Sequence, residues 1–140
     1  MTIKPFSSME RAVLALLERD LVVDAQPLSA TPERVGGDAA FSGKPWYIRI
    51  DQVPGGASDR FEGDFILDIE VFSGSYSTAE SVAFAVEALL LGYPHVVEVG
   101  GRKVVFDSVV ENQGPSDIPW EGDDTVSRLL ATYVITARRR

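Results

Sequence analysis

Between Phe65 and Leu91 the hydrophobic period changes once, and that change limits what the chain can fold into. Phe65, Leu67, Ile69 and Val71 alternate with polar positions that include Asp68 and Glu70, the two-residue period of a strand with one apolar and one wet face. From Ser77 the spacing lengthens: Ala79, Val82, Ala83, Val86, Leu89 and Leu90 recur every three or four residues, as on one face of a helix. Ser77 and Glu80 have the spacing of a capping box at its start, and Gly92 followed by Pro94 stops it.

The flanking segments extend the pattern. Ser7 and Glu10 form a second capping-box spacing, and Met9, Val13, Leu16 and Leu17 then share a face, which predicts a helix over about Ser8 to Asp20. Gln26 to Lys44 holds prolines and glycines without sustained period and reads as a long loop. Trp46 to Asp51 alternates as a strand, with Trp46, Ile48 and Ile50 on one side. Gln52 to Gly63, with Pro54, Gly55 and Gly56, predicts a turn long enough to project as an arm. Val96–Val99 and Arg102–Phe106 flank Gly100 and Gly101, a hairpin signature that can extend to Val110. Ser127 to Ala137 alternates again, with Leu129, Ala131, Tyr133 and Ile135 opposite Leu130, Thr132 and Val134. Helix, strand, strand, helix, hairpin, strand is not the strict alternation of a parallel doubly wound fold. It predicts one α+β domain over residues 1–140, an antiparallel or mixed sheet of four to five strands carrying two amphipathic helices on one face.

Composition removes several kinds of chemistry. The 140 residues include no cysteine and one histidine, His95, so thiolate catalysis and cysteine or multi-histidine metal sites are excluded within one chain. Thirteen basic against 21 acidic residues give a net charge of −8, the wrong sign for tight binding to phosphates. No apolar run approaches the roughly 18 residues of a membrane span, and Val13–Leu17 is followed by charges rather than a signal-cleavage site, so a cytoplasmic setting is expected.

The remaining motifs read as structure. Ser42, Gly43 and Lys44 suggest the end of a phosphate loop, but Pro45 stands at the hydroxyl position and a strand follows. Asp117, Glu121, Asp123 and Asp124 cluster in one predicted loop and lack the ligand order of a calcium loop, so a solvated acidic surface is expected there. His95 has no nucleophile motif to serve, and Trp46 and Trp120 read as core or interface anchors. Arg138, Arg139 and Arg140 form a small basic tail beyond the last strand, suited to a salt-dependent contact with an acidic patch on a neighbouring subunit. No catalytic residue, metal ligand or cofactor site emerges, and an assembly component fits better than an enzyme.

The run Asp68-Ile-Glu-Val-Phe72, the alanine-rich helix Ser77 to Leu91, and Pro119-Trp120-Glu-Gly-Asp123 leading to Arg128 and Tyr133-Val-Ile-Thr-Ala-Arg138 resemble the tail terminator proteins of long-tailed, non-contractile bacteriophages. The resemblance covers most of the chain from Phe65 onward. It implies a non-catalytic virion protein at the head-tail junction, assembled in the host cytoplasm. Six copies would form a ring on the last tail-tube ring, stop tube polymerisation and dock the head-completion (stopper) protein, while genomic DNA passes through the lumen without specific binding. On that reading the arm, with Pro54, Gly55, Gly56 and Arg60, together with Trp120 and Arg138, would meet a neighbouring subunit or the tube. Asp117, Glu121, Asp123 and Asp124 would face the lumen or the stopper, where negative charge repels DNA. The alternatives are another connector component, either a stopper or a tube subunit, and a small ligand-binding α+β domain built on Asp123, Asp124 or His95.

Overall fold

The computed structural model describes residues 8–30, 32–36, 44–54, 62–118 and 125–140. Helix α1 runs Ser8–Asp20 and buries Met9, Ala12, Val13, Leu16 and Leu17, the face expected from their spacing. Glu10 is also buried, because its carboxylate accepts the backbone N–H of Gln52 at 2.5 Å and so ties the helix to the sheet. Ser7, the expected partner of Glu10 in a capping box, lies outside the described residues.

The chain after α1 is more ordered than a loop. Strands β1 (Val22–Val23) and β2 (Gln26–Pro27) form a two-residue hairpin whose turn residues Asp24 and Ala25 have φ of 52° and 62°, the left-handed geometry that such turns require. Two 3-10 turns, Leu28–Ala30 and Pro32–Arg34, follow and lead into β3 (Val35–Gly36). Leu28 is fully buried against the core, which anchors a segment that has no period to reveal it.

Strands β4 (Trp46–Val53), β5 (Gly63–Ser73), β6 (His95–Val99), β7 (Arg102–Asp117) and β8 (Ser127–Arg139) complete the main sheet. Its order is β3-β4-β5-β8-β7-β6, antiparallel except for the β3–β4 pair. Six strands plus the separate two-stranded hairpin exceed the four to five expected, since β1, β2 and β3 are two residues each and too short to show alternation. Strand β7 runs on past Val110 to Asp117, with register shifts between Phe106 and Ser108, Glu111 and Gln113, and Gln113 and Ser116. Such bulges bend a strand and increase its twist, which curls this end of the sheet around the second helix.

Helix α2 covers Tyr76–Leu91. Its cap is Ser75 rather than Ser77: the Ser75 backbone is extended and its Oγ accepts the N–H of Thr78, so the helix begins one residue before Ser77. Ala79, Val82, Ala83, Val86 and Leu90 are buried against β5, β7 and β8, whereas Leu89 is only half-buried. Both helices pack on one face with Ile48, Ile50, Phe65, Leu67, Ile69, Phe106, Leu129, Tyr133 and Ile135. Each such apolar side chain contributes about 1.5–3 kcal/mol on burial, so this layer supplies the main driving force for folding.

The opposite face is not uniformly wet. Thr136 donates to Asp64 at 2.8 Å and Thr132 to Asp68 at 2.7 Å across the β5–β8 pair, as expected for solvated polar positions. Glu70, however, is only 3% exposed. Arg49 from β4 and Arg128 from β8 both bond its carboxylate, which satisfies a charge that could not otherwise be buried. Phe72 and Tyr47 are buried beside it, with ring centroids 6.5 Å apart, and the Arg49 guanidinium lies 5.8 Å over the Phe72 ring.

Candidate functional site

Strand register sorts the charged segments onto two opposite ends of the sheet. Gly63 pairs with Ala137 and Val104 with Arg139, so Pro54, Glu62, Arg138–Arg140 and the Gly100–Gly101 turn share one end. Trp46 pairs with Ser73, Ser73 with Ser127, and Asp117 with Leu129, which puts the start of α2 and the end of β7 at the other. An 11-residue strand such as β5 spans roughly 35 Å, so the two ends present separate surfaces.

At the first end, Arg138 and Arg139 belong to β8 rather than to a tail beyond it. Arg138 Nε donates to Asp107 at 3.0 Å, and Arg139 Nε to Glu62 at 3.0 Å, both on the surface. The Arg140 backbone N–H donates to the Lys103 carbonyl at 3.0 Å, which holds the end of β8 against the start of β7. Together Gly101, Arg102, Lys103, Arg139 and Arg140 line an open cleft of about 440 Å³. Arg102 and Lys103 belong to no motif of their own. The signal for them is the Gly100–Gly101 turn at φ 57° and 78°, which folds these cations back beside the C-terminal arginines. Pro54 is exposed at the end of β4 on this same side, while Gly55, Gly56 and Arg60 lie outside the described residues.

At the second end, Asp117 is the last residue of β7 and exposed, not part of a loop. The charges of Glu80, first, and Asp117 hold the Tyr76 phenol above its ordinary ionisation range, a sign that the local potential is negative. Trp120, Glu121, Asp123 and Asp124 lie outside the described residues.

Other candidates for chemistry take structural positions. His95 opens β6, is buried, and meets Phe106 edge-to-face with ring centroids 6.4 Å apart. Trp46 is in the core, with the Arg34 guanidinium 4.9 Å over its ring. Lys44 sits 5.4 Å over Tyr47, whereas Ser42 and Gly43 lie outside the described residues. Among the described residues no group of three or more acidic or histidine side chains is placed to hold a metal ion, and no helix is long and apolar enough to cross a membrane. The apolar space between α2 and the sheet, lined by Ala83, Val86, Pro115 and Tyr133, has no volume that a water could occupy.

Two-helix coverage of one face of a curled, mostly antiparallel sheet thus defines an α+β domain with charged surfaces at its two ends and no built catalytic pocket among the described residues. No family model matches the sequence, and no curated protein matches it. The fold is similar to that of a chain in the virion of a native gene transfer agent particle, with a TM-score of 0.61 at 18% identity, covering 93% of each chain. At that identity the likeness is one of fold, and it extends over nearly the whole of both chains.

Proposed function

We propose that this chain is a structural virion protein of the tail terminator kind, one that closes the tail tube as a ring and links it to the head-completion protein without catalysing a reaction. The observation that carries this reading is the fold shared with a virion chain over 93% of both lengths, a match of whole domains rather than of a common substructure. The run from Asp68 to Phe72, the helix through Leu91 and the last strand through Arg138, which carry the resemblance in sequence, form the centre of this fold as β5, α2 and β8. Separate surfaces at the two ends of the sheet also suit a protein that must meet different neighbours. In this proposal the Pro54 and Arg138 end meets a neighbouring subunit or the tube protein, and the Asp117 end faces the lumen or the stopper. Net negative charge lets DNA pass without adhering.

Native mass, measured alone and after addition of tail-tube protein from the same source, tests the reading. Rings that cap tubes at a fixed length are expected. A protein that leaves tube growth unchanged would overturn the terminator role.

A further inference from the structure

We propose that the cleft between the start of β7 and the end of β8 is a docking site for an acidic segment of a partner protein. The inference rests on the assembly reading above and deepens it by giving the chemistry of the surface that this end meets. Under that reading the segment belongs to the tail-tube protein.

The sheet itself builds the cleft. Val99 pairs with Arg102, Val104 pairs with Arg139, and the Arg140 N–H donates to the Lys103 carbonyl at 3.0 Å, so the backbones that carry the cations are fixed relative to one another. Arg102, Lys103, Arg139 and Arg140 are exposed around an open volume of about 440 Å³, and the remaining lining residue, Gly101, adds no side chain. Arg139 is paired with Glu62, whereas Arg102, Lys103 and Arg140 make no ion pair with the described residues. No carboxylate side chain is in the lining. The acids around it are engaged at its rim, Asp107 by Arg138 and Asp64 by Thr136, while Glu98 stands opposite Lys103 on β6. The cleft therefore keeps an uncompensated positive charge on a chain whose net charge is −8.

Carboxylate is the anion that this end already binds. Arg138 and Arg139 each donate Nε to a carboxylate oxygen at 3.0 Å, the charge-assisted bond that a glutamate or aspartate of a partner would repeat on Arg102 or Arg140. Nucleic acid fits less well. A single strand stacks its bases on aromatic faces, and the lining has none. A duplex needs cations along many successive phosphates, a track that Glu62 and Asp107 at the rim would interrupt. Two copies meeting cleft to cleft would oppose like charges. Among the described residues no three acidic side chains gather closely enough to share an ion, so this chain shows no matching acidic surface of its own there. A different protein is the better source of the segment.

The test is a titration of the full chain into a fluorescently labelled, glutamate-rich peptide of about twelve residues, read by anisotropy at 50 mM and 500 mM salt. Saturable binding that weakens at least about tenfold at the higher salt is expected. Arg102→Glu should weaken it at least about tenfold as well. Arg11→Glu, the same charge change at an exposed position on α1 outside the lining, should leave it within about twofold, and both variants should keep the parent's circular dichroism spectrum. A peptide that does not bind, or that binds parent and Arg102→Glu alike, would overturn the inference. So would a labelled 20-nucleotide single strand that binds the parent more tightly than the peptide and is lost in Arg102→Glu, since the cleft would then serve phosphate. Salt-sensitive self-association that Arg102→Glu abolishes would also overturn it, by making a second copy the occupant. Tube capping separates this inference from the reading beneath it. If Arg102→Glu with Lys103→Glu caps tubes as the parent does, the cleft's role in docking fails alone. If the parent binds the peptide through Arg102 but leaves tube growth unchanged, the terminator role fails alone.

Discussion

Raising the pH from 5 to 8 should weaken this fold through one pair of carboxyl groups. Glu87 on α2 approaches Glu111 on β7, directly across from Tyr133 on β8. Glu111 Oε2 is shielded from solvent and, as a carboxylate oxygen, finds no donor; the Tyr133 hydroxyl is likewise without a partner. Two carboxylates this close can bond only by sharing a proton. Bonding to Glu87, then burial, then the Glu87 charge raise the Glu111 carboxyl from 4.5 to about 7. Burial first, and then the charges of Glu111 and Glu87, push the Tyr133 phenol up as well.

The sign follows from proton counting. Between pH 4.5 and 7 the unfolded chain has lost the Glu111 proton and the native chain keeps it, so the unfolded state binds fewer protons and stability falls as pH rises. Below that window both states are protonated, and above it both are ionised and the loss is complete. At about 1.4 kcal/mol per pH unit the full shift would be worth about 3 kcal/mol. Glu111 is only half-buried, and solvent screening reduces this to about 1–2 kcal/mol. For a domain of this length that corresponds to a fall in Tm of about 3–7 °C. Thermal melts across pH 4.5 to 8 should show the decline, and Glu111→Gln should flatten it and melt higher than the parent at pH 8. A parent whose Tm is constant or rising over that range, or a variant with an undiminished slope, would refute the shared proton.

Three further perturbations test the packing. Glu70→Gln leaves Arg49 and Arg128 without their anion and should cost about 2–4 kcal/mol in urea unfolding, less than a fully buried pair because both arginines are about a quarter exposed. Leu90→Ala opens a cavity where α2 meets the sheet and should cost about 2–5 kcal/mol, while the same change at half-buried Leu89 should cost less than half as much. Ser75→Ala removes the α2 cap and should lower stability by about 1 kcal/mol, whereas Ser77→Ala should change it by a few tenths, which separates the observed cap from the one that spacing suggests.

The displaced cap shows how far local pattern reaches. Ser77 and Glu80 have the right spacing, but Ser75 wins because its backbone leaves β5 in an extended conformation and points Oγ at the Thr78 N–H. Glu10, which has the spacing of a capping residue, accepts the backbone N–H of Gln52, 42 positions later, a contact that spacing cannot reveal. In each case the partner seen is set by where a strand lies. Arg138 and Asp117 stand out in the sequence as interface residues but read as members of a tail and a loop, since β7 and β8 run longer than their apolar alternation. Polar residues near strand ends keep pairing through the backbone, to which side-chain period is blind.

Contiguous periodicity determined the two helices, the strands β4, β5 and β8, and the apolar residues that face the core, because each of these depends on neighbours within one or two turns or a few pleats. The lack of cysteine and the single histidine limited the chemistry by composition alone. Only the tertiary structure decided that β8 inserts between β5 and β7. From that order follow the Arg49–Glu70–Arg128 cluster, the Glu87 and Glu111 contact and the meeting of Arg102 and Lys103 with Arg139 and Arg140. Charges distant in sequence become one site only when the sheet fixes which strands are adjacent and in what register, a choice made by the whole core rather than by any segment of it.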